Sequence, residues 1–253
     1  MYTMAVISFY KQKGETPLQG LERVRRERGI GKEVAMTHVG RLDPMAEGVM
    51  MVLSGEDVDE REKYLGLSKT YRTEILCGVG TDTGDVLGLV DTFYKLKKFN
   101  KFEIKRALEK FKGTFVQKYP QYSSKSFAGA YEDVREGKVT EHTHEVHVFD
   151  IELLGMREIS PTNLLRKIET DIATVSGDFR QQEVLQKWKE ILGNKYDTSY
   201  LFRVLEIRMM VSSGFYVRQF AEDIGRQFNL PALALSIIRE RVGQWDITSC
   251  EIE

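Results

Sequence analysis

The sequence predicts a mixed α/β chain, and three patterns in its 253 residues carry that reading. Side chains alternate with period two in Tyr71-Thr73-Ile75-Cys77 and again in Leu205-Ile207-Met209-Val211, the spacing of strands with one buried face. Apolar residues recur at helical spacing in Leu18-Leu21-Val24, Ile104-Ala107-Leu108-Phe111 and Val217-Phe220-Ala221-Ile224. Start and stop residues frame the first two of these helices: Thr16-Pro17 and Asn100 with Glu103 open them, and Gly29 with Gly31 and Gly113 close them.

Taken in order, residues 4–9 are apolar and predict a first strand. A turn at Lys11 and Gly14 and a helix from Pro17 to about Arg28 follow, with Leu18, Leu21 and Val24 on the buried side. The next stretch, Thr37 to Gly55, reads THVGRLDPMAEGVMMVLSG. Pro44 biases Asp43 away from helical geometry, so a loop presents its carboxylate. Gly40 and Gly48 bracket it where the chain can turn tightly or approach a ligand closely. The run Val49 to Leu53 then predicts a buried element that pins this loop to the core. Asp-Pro pairs also serve simply as turns, so spacing alone leaves Asp43 either a turn residue or an active carboxylate.

Tyr71 opens the buried face of the strand from Lys69. The segment CGVGTDTGDVLGLV after it has glycines and aspartates that superficially suggest a dinucleotide or calcium loop. A dinucleotide fingerprint must open a helix and a calcium loop needs its terminal Glu and flanking helices, whereas Asp82, Gly84, Asp85 and Gly88 punctuate a hairpin. His142, His144 and His147 do not converge on a metal, because the strand implied by Val146, Val148, Phe149 and Ile151 sends His147 to the opposite side; they are expected as solvated strand residues. Gln182 to Leu192 predicts an amphipathic helix with Val184, Leu185, Trp188, Ile191 and Leu192 on one side. Ser212-Ser213-Gly214 turns the strand at 205–211 into the helix that carries Arg218 on its first turn.

A net charge of −1 counts against a nucleic-acid ligand, because phosphate contacts need clustered cations. Basic residues gather only locally, at Arg23/Arg25/Arg26/Arg28, Lys95/Lys97/Lys98/Lys101 and Arg239/Arg241, and such groups are more often solvated faces. Cys77 and Cys250 are too few for a disulfide framework or a Cys-based zinc site, in keeping with a reducing compartment. No apolar run approaches the roughly 18 residues that cross a membrane, and the N-terminal residues lack the pattern of a secretory signal; a cytoplasmic location is expected.

Several of these segments, in this order, resemble the TruB-type tRNA pseudouridine synthases. His38, Gly40 and Leu42-Asp43-Pro44 leading into Gly48 and an apolar strand resemble the catalytic motif of that family. Lys11 and Gly14 resemble its Lys-x-x-Gly turn, with Tyr10 and Gln12 standing where Asp and Pro are usual. Gly78, Thr81, Asp82, Thr83, Asp85 and Gly88 match its hairpin. Gln117, Pro120, Tyr122-Ser123 and Lys125, then Tyr131 and Arg135-Glu136-Gly137, follow another family segment, with Tyr119 replacing a Pro and one residue missing before the Lys. Ser213-Gly214, Tyr216-Val217-Arg218, Ala221, Asp223 and Gly225 match a further pattern with one residue fewer before the Tyr, and Ile237-Ile238-Arg239 to Gly243 a last one in which Ile238 replaces an Arg.

The resemblance implies a pseudouridine synthase fold, with a largely antiparallel curved sheet flanked by helices and the active site in a central cleft. It implies a single catalytic domain over 1–253, a family-atypical helical insertion at about 155–199, and a short form without the small C-terminal RNA-binding PUA domain that often follows. The implied reaction turns uridine into pseudouridine in the T-loop of tRNA, position 55, by a monomer that needs no cofactor or metal. Asp43 would be the nucleophile, Arg218 would pair with it in a water-poor pocket and orient it, and Tyr71 would stack on the flipped base. His38 would fill the space the base vacates, and Gly40, Arg41, Tyr216, Lys125 and Lys11 would bind substrate.

The chemistry suits one carboxylate, since a carboxylate can act as nucleophile where a glycosidase needs two carboxyl groups. Attack at sugar C1′, attack at uracil C6, and a glycal route all stay open. Flipping the base costs a few kcal/mol, and RNA loops are read by shape and stacking. The loss of an Arg at Ile238 motivates a second reading, a non-catalytic RNA-binding or tRNA-folding protein on the same scaffold.

Overall fold

The computed structural model describes residues 5–95, 99–120, 122, 142–194 and 200–250. Nine strands form its main sheet: β1 (Ala5–Lys11), β2 (Met36–Val39), β3 (Ala46–Ser54), β4 (Lys69–Cys77), β7 (Gly113–Lys118), β8 (Thr143–Ile159), β9 (Phe202–Val211), β10 (Ala232–Val242) and β11 (Trp245–Asp246). Their order is β1-β3-β10-β4-β9-β8-β7, with β2 on β3 and β11 on β10. Every pair is antiparallel except β3 with β10, so the sheet is largely antiparallel, as the resemblance implied. A separate hairpin joins β5 (Val79–Thr81) to β6 (Val90–Phe93).

Both expected N-caps form, and each is closed as a capping box. Thr16 Oγ1 accepts from the Gln19 amide at the start of α1 (Pro17–Glu27), and Asn100 Oδ1 accepts from Phe102 and Glu103 at the start of α3 (Lys101–Glu109). Among the described residues, the remaining α-helices are α2 (Arg61–Leu65), α4 (Pro161–Ala173), α5 (Gln181–Asn194) and α6 (Val217–Arg226). None is long and apolar enough to cross a membrane.

Alternation along the first half of β10 separates two of the three apolar clusters of the core. Ala232, Ala234 and Ile237 join one apolar cluster with Leu21 and Val24 of α1, Ile104 and Leu108 of α3 and Phe220 and Ile224 of α6. Leu233 and Leu235 face the other way, against Leu164 and Ile168 of α4, Val184 and Trp188 of α5, and Val86 of the hairpin. Where that second face has no helix over it, charges pair across strands: Arg72 with Glu206, Arg157 with Glu74 at 2.7 Å, and Arg208 with Glu240 at 2.7 Å. Such exposed pairs add little stability, about 0–1 kcal/mol each, but they keep this face of the sheet polar.

The structure corrects four expectations. Leu18 is 62% exposed, and Gly20 instead lies against the Phe9 ring. Within the stretch expected to be helical from about 155, residues 155–159 are the end of β8, and the helical part begins with α4, capped by Ser160. His144 and His147 are engaged rather than merely solvated: His144 stacks on Tyr119 at 4.0 Å and donates from Nε2 to the Gly214 carbonyl, while His147 Nδ1 meets the Thr114 hydroxyl at 2.7 Å. Lys11 ends β1 instead of turning.

Candidate active site

Asp43 sits in the connection between β2 and β3, and hydrogen bonds to the main-chain carbonyls of this region from the end of β1, the turn after it and β10 hold that connection. Gly14 N donates to the Pro44 carbonyl at 2.8 Å, and Ala46 N closes a turn onto the Asp43 carbonyl at 2.9 Å. Lys11 Nζ donates to the Ala46 carbonyl at 2.7 Å. From β10, Arg239 donates through Nη1 to the Arg41 carbonyl and through Nε to that of Val49. Leu42 and Met45 point into opposite halves of the core and anchor the loop on both sides of the carboxylate. Gly48 has φ +116, and a Cβ there would lie 2.3 Å from the Arg239 carbonyl oxygen, so only glycine lets β10 pass this close to the loop.

Arg218 reaches Asp43 from the first turn of α6. Its Nε donates to Asp43 Oδ2 at 2.7 Å, Nη1 to the Thr83 carbonyl at 2.6 Å and Nη2 to the Tyr122 carbonyl at 3.0 Å. The helix start is held by Gln117, which donates to the Tyr216 carbonyl and accepts from the Tyr216 amide. Asp85 stands 3.9 Å from the same guanidinium. Burial raises the Asp85 carboxyl above the ordinary aspartate range; Arg218 pulls it back and Asp43 adds to the rise. Burial acts to lower Arg218, but Asp43 and Asp85 together outweigh it and hold the guanidinium above the ordinary arginine value.

The hairpin that supplies Thr83 and Asp85 is braced from behind by the helical stretch. Trp188 Nε1 donates to the Val86 carbonyl at 3.0 Å, and Arg180 pairs with Asp82 at 2.9 Å while lying 5.7 Å over the Tyr122 ring. The α4–α5 pair thus serves the site indirectly, by fixing the hairpin that fixes Arg218.

These elements surround a cleft of about 740 Å³, within the usual range of small-ligand sites, lined among others by Gly40, Asp43, Tyr71, Tyr216, Arg218 and Arg239. The Asp43 side chain is 41% exposed and that of Arg218 only 6%. Dryness is therefore confined to the guanidinium, and the water-poor surroundings expected for the carboxylate do not extend to it.

Of the residues singled out in the sequence, Gly40, Arg41, Asp43, Tyr71, Tyr216 and Arg218 all line this cleft. Lys11 does not reach it. Its side chain is fully buried, burial pushes its ammonium down to about 8, and its Nζ is spent on the carbonyls of Gln12 and Ala46. It supports the loop from beneath. His38 lies on β2 outside the lining residues; burial first, then Arg41 and Arg61, lower its imidazole below the usual value, so it is neutral near neutral pH. Lys125 lies outside the described residues.

Sequence reasoning missed Arg239, Lys69, Asp85 and Gln117 as parts of this site. Arg239 carried a signal, being a charge at the end of a run from Ala232 to Ile238 that is apolar except for Ser236. Lys69 shares a strand face with Tyr71, which two-residue spacing could have revealed.

The model for the family described as TruB family pseudouridylate synthase (N terminal domain) matches residues 28–179. The tRNA pseudouridine synthase B of Treponema pallidum (strain Nichols) is 31% identical over 248 residues, covering 96% of this chain and 60% of that protein. The tRNA pseudouridine synthase B of Ureaplasma urealyticum serovar 10 is 30% identical over 263 residues, covering 100% of this chain and 93% of that protein. The chain thus spans about three fifths of the length of the first of these relatives. Among solved structures, one described as a Cbf5-Nop10-Gar1 complex matches with a TM-score of 0.59 at 17% identity, over 95% of this chain and 49% of that one, a likeness of fold.

Proposed function

Because the chain belongs to the TruB family of pseudouridylate synthases, we propose that it isomerises uridine to pseudouridine in the T-loop of tRNA, at position 55, with Asp43 as nucleophile. The observation that carries this reading is the 2.7 Å contact between Asp43 and Arg218, two side chains 175 positions apart, on the wall of a cleft large enough for one everted nucleotide. Arg218 engages Oδ2, so Oδ1 is the oxygen presented to the base or sugar. Fixing one oxygen orients the other at no cost during the reaction. Tyr71, buried on one side and lining the cleft on the other, offers its ring as the stacking surface for the flipped uracil. Gly40, Arg41 and Tyr216 contact the nucleotide around it.

The isomerisation is redox-neutral. The glycosidic bond from N1 breaks, the base turns, a carbon–carbon bond forms from C5 to the same sugar carbon, the proton on uracil C5 is lost to solvent, and N1 takes up a proton in its place. The buried, free Cys77 and Cys250 suit the reducing cytoplasm in which this monomeric enzyme would meet tRNA.

The experiment is tritium release from tRNA labelled at uracil C5. Wild type should release tritium at low salt, and Asp43→Asn should abolish release while tRNA binding stays nearly intact. No release by wild type sinks the reading. Full function in Asp43→Asn would instead favour a non-catalytic RNA-binding protein.

A further inference from the structure

The cleft holds more cations than its carboxylates can neutralise. Among its charged lining residues, Asp43 is taken by Arg218 and Glu62 pairs with Arg61 at 3.5 Å, leaving Arg41, Lys69 and Arg239. Arg239 is 1% exposed and Lys69 is 7% exposed. Neither has a carboxylate within ion-pair distance among the described residues. Lys69 Nζ donates to the carbonyls of Leu65 and Leu67, Arg239 to those of Arg41 and Val49, and Arg239 Nη2 is a buried donor without a partner there.

The two charges are neighbours. Arg239 faces Tyr71 across the β4–β10 register and Lys69 precedes Tyr71 by two residues, so all three side chains leave the same side of the sheet. Arg41, exposed at the rim, has its own carbonyl tied to Arg239. Buried charges without a counter-ion are costly, and a like-charged neighbour adds to the cost. The effect is visible in Lys69, which burial first and Arg239 second push down to about 8. An anion at this spot would relieve both.

We propose that Lys69, Arg41 and Arg239 form a subsite for one phosphodiester of the RNA strand, beside Tyr71, anchoring the backbone of the nucleotide whose base enters the cleft. The proposal rests on the RNA-modifying reading above. Lys69 and Arg41 supply the direct contacts, and Arg239 supplies charge from below, through a low-polarity interior that screens it poorly. A phosphodiester fits the donors because it carries a full charge on two oxygens, which a lysine ammonium and an arginine fork both bind well. The subsite also explains how a chain of net charge −1 can hold a polyanion: the excess is local to the cleft.

The test is a linkage scan. T-arm stem-loop RNAs, each carrying a single uncharged methylphosphonate linkage, are titrated against the protein by fluorescence anisotropy over a range of salt. For wild type, the uncharged linkage beside the target uridine should weaken binding roughly tenfold and flatten the log Kd against log salt slope by about 0.7, while linkages remote from the target should do less. Lys69→Gln should weaken binding of unmodified RNA by a similar factor and no longer sense the linkage beside the target, since the two changes remove the same contact. Arg41→Gln, at an exposed position, is the second variant and should show the same insensitivity even if Lys69→Gln fails to fold.

Penalties that simply add in both variants, or a flat linkage scan with wild type, would overturn the subsite while wild-type tritium release leaves the reaction standing. Absence of both RNA binding and tritium release in wild type would overturn both.

Discussion

Replacing Arg218 with methionine should damage folding and catalysis through two different carboxylates. The Asp43 side chain is 41% exposed and can recover water, whereas Asp85 is 7% exposed and loses its only neighbouring cation within ion-pair distance among the described residues. Removing one partner of a buried pair costs about 3–5 kcal/mol, and the stranded Thr83 carbonyl adds on the order of 1 kcal/mol. That is a large share of the 5–15 kcal/mol typical of a folded domain. If the cost belongs mainly to Asp85, the double variant Arg218→Met/Asp85→Asn should regain at least about half of it. Turnover should stay lost, because Asp43 still lacks its guanidinium.

The pH dependence has a definite sign. A buried carboxyl whose folded value is raised holds a proton more readily in the folded chain, so its contribution favours folding at low pH and is lost as pH rises through that folded value. Without Arg218 the rise is larger, and the deficit of the single variant should be smaller near about pH 5 than near about pH 8. Urea unfolding followed by tryptophan fluorescence measures both effects. A double variant no more stable than the single one, or a deficit that ignores pH, would refute the assignment to Asp85.

Gly48→Ala puts a methyl 2.3 Å from the Arg239 carbonyl at a backbone angle of +116, and should lower stability by at least about 2 kcal/mol, measured by the urea midpoint. Trp188→Phe keeps an aromatic ring, though a smaller one, and leaves the Val86 carbonyl unpaired; it should cost at least about 1–3 kcal/mol and speed hydrogen exchange in the hairpin at residues 82–88. Lys11, pushed from 10.5 down to about 8 by burial with Glu15, Asp43, Arg239 and Glu47 around it, binds its proton more weakly folded than unfolded. Relative to Lys11→Met, wild type should therefore gain stability between about pH 8 and about pH 10, by up to roughly 3 kcal/mol, as read from paired melting curves.

What the sequence disclosed was mostly local. Pro44 and two glycines gave away the loop at Asp43, paired cap residues located α1 and α3, and two-residue alternation assigned the buried faces of β4 and β9. Leu18 misled because three-residue steps precess around a helix: two such steps place it about 120° from Val24, on the solvent side. Arg239 and Arg241 looked like one solvated group. A register shift between them separates their environments, so that Arg239 is buried while Arg241 pairs with Asp246 at 3.1 Å. The brace from Trp188 and Arg180 to the hairpin could not be foreseen, because it joins segments about 100 residues apart through contacts that leave no periodic trace.

The seating of β10 has a further consequence for how the molecule comes into being. β3 and β4 follow one another along the chain, yet they are held apart by a strand that emerges from the ribosome about 160 residues after β4 begins. Until then the N-terminal strands have two open edges facing a gap, and the acidic group at position 43 waits for the cation at 218. Folding should accordingly wait on β10 for its decisive step and be slow, as non-local pairing demands. A nascent chain halted before residue 232 should be open to proteases and devoid of activity, however well its first half has formed.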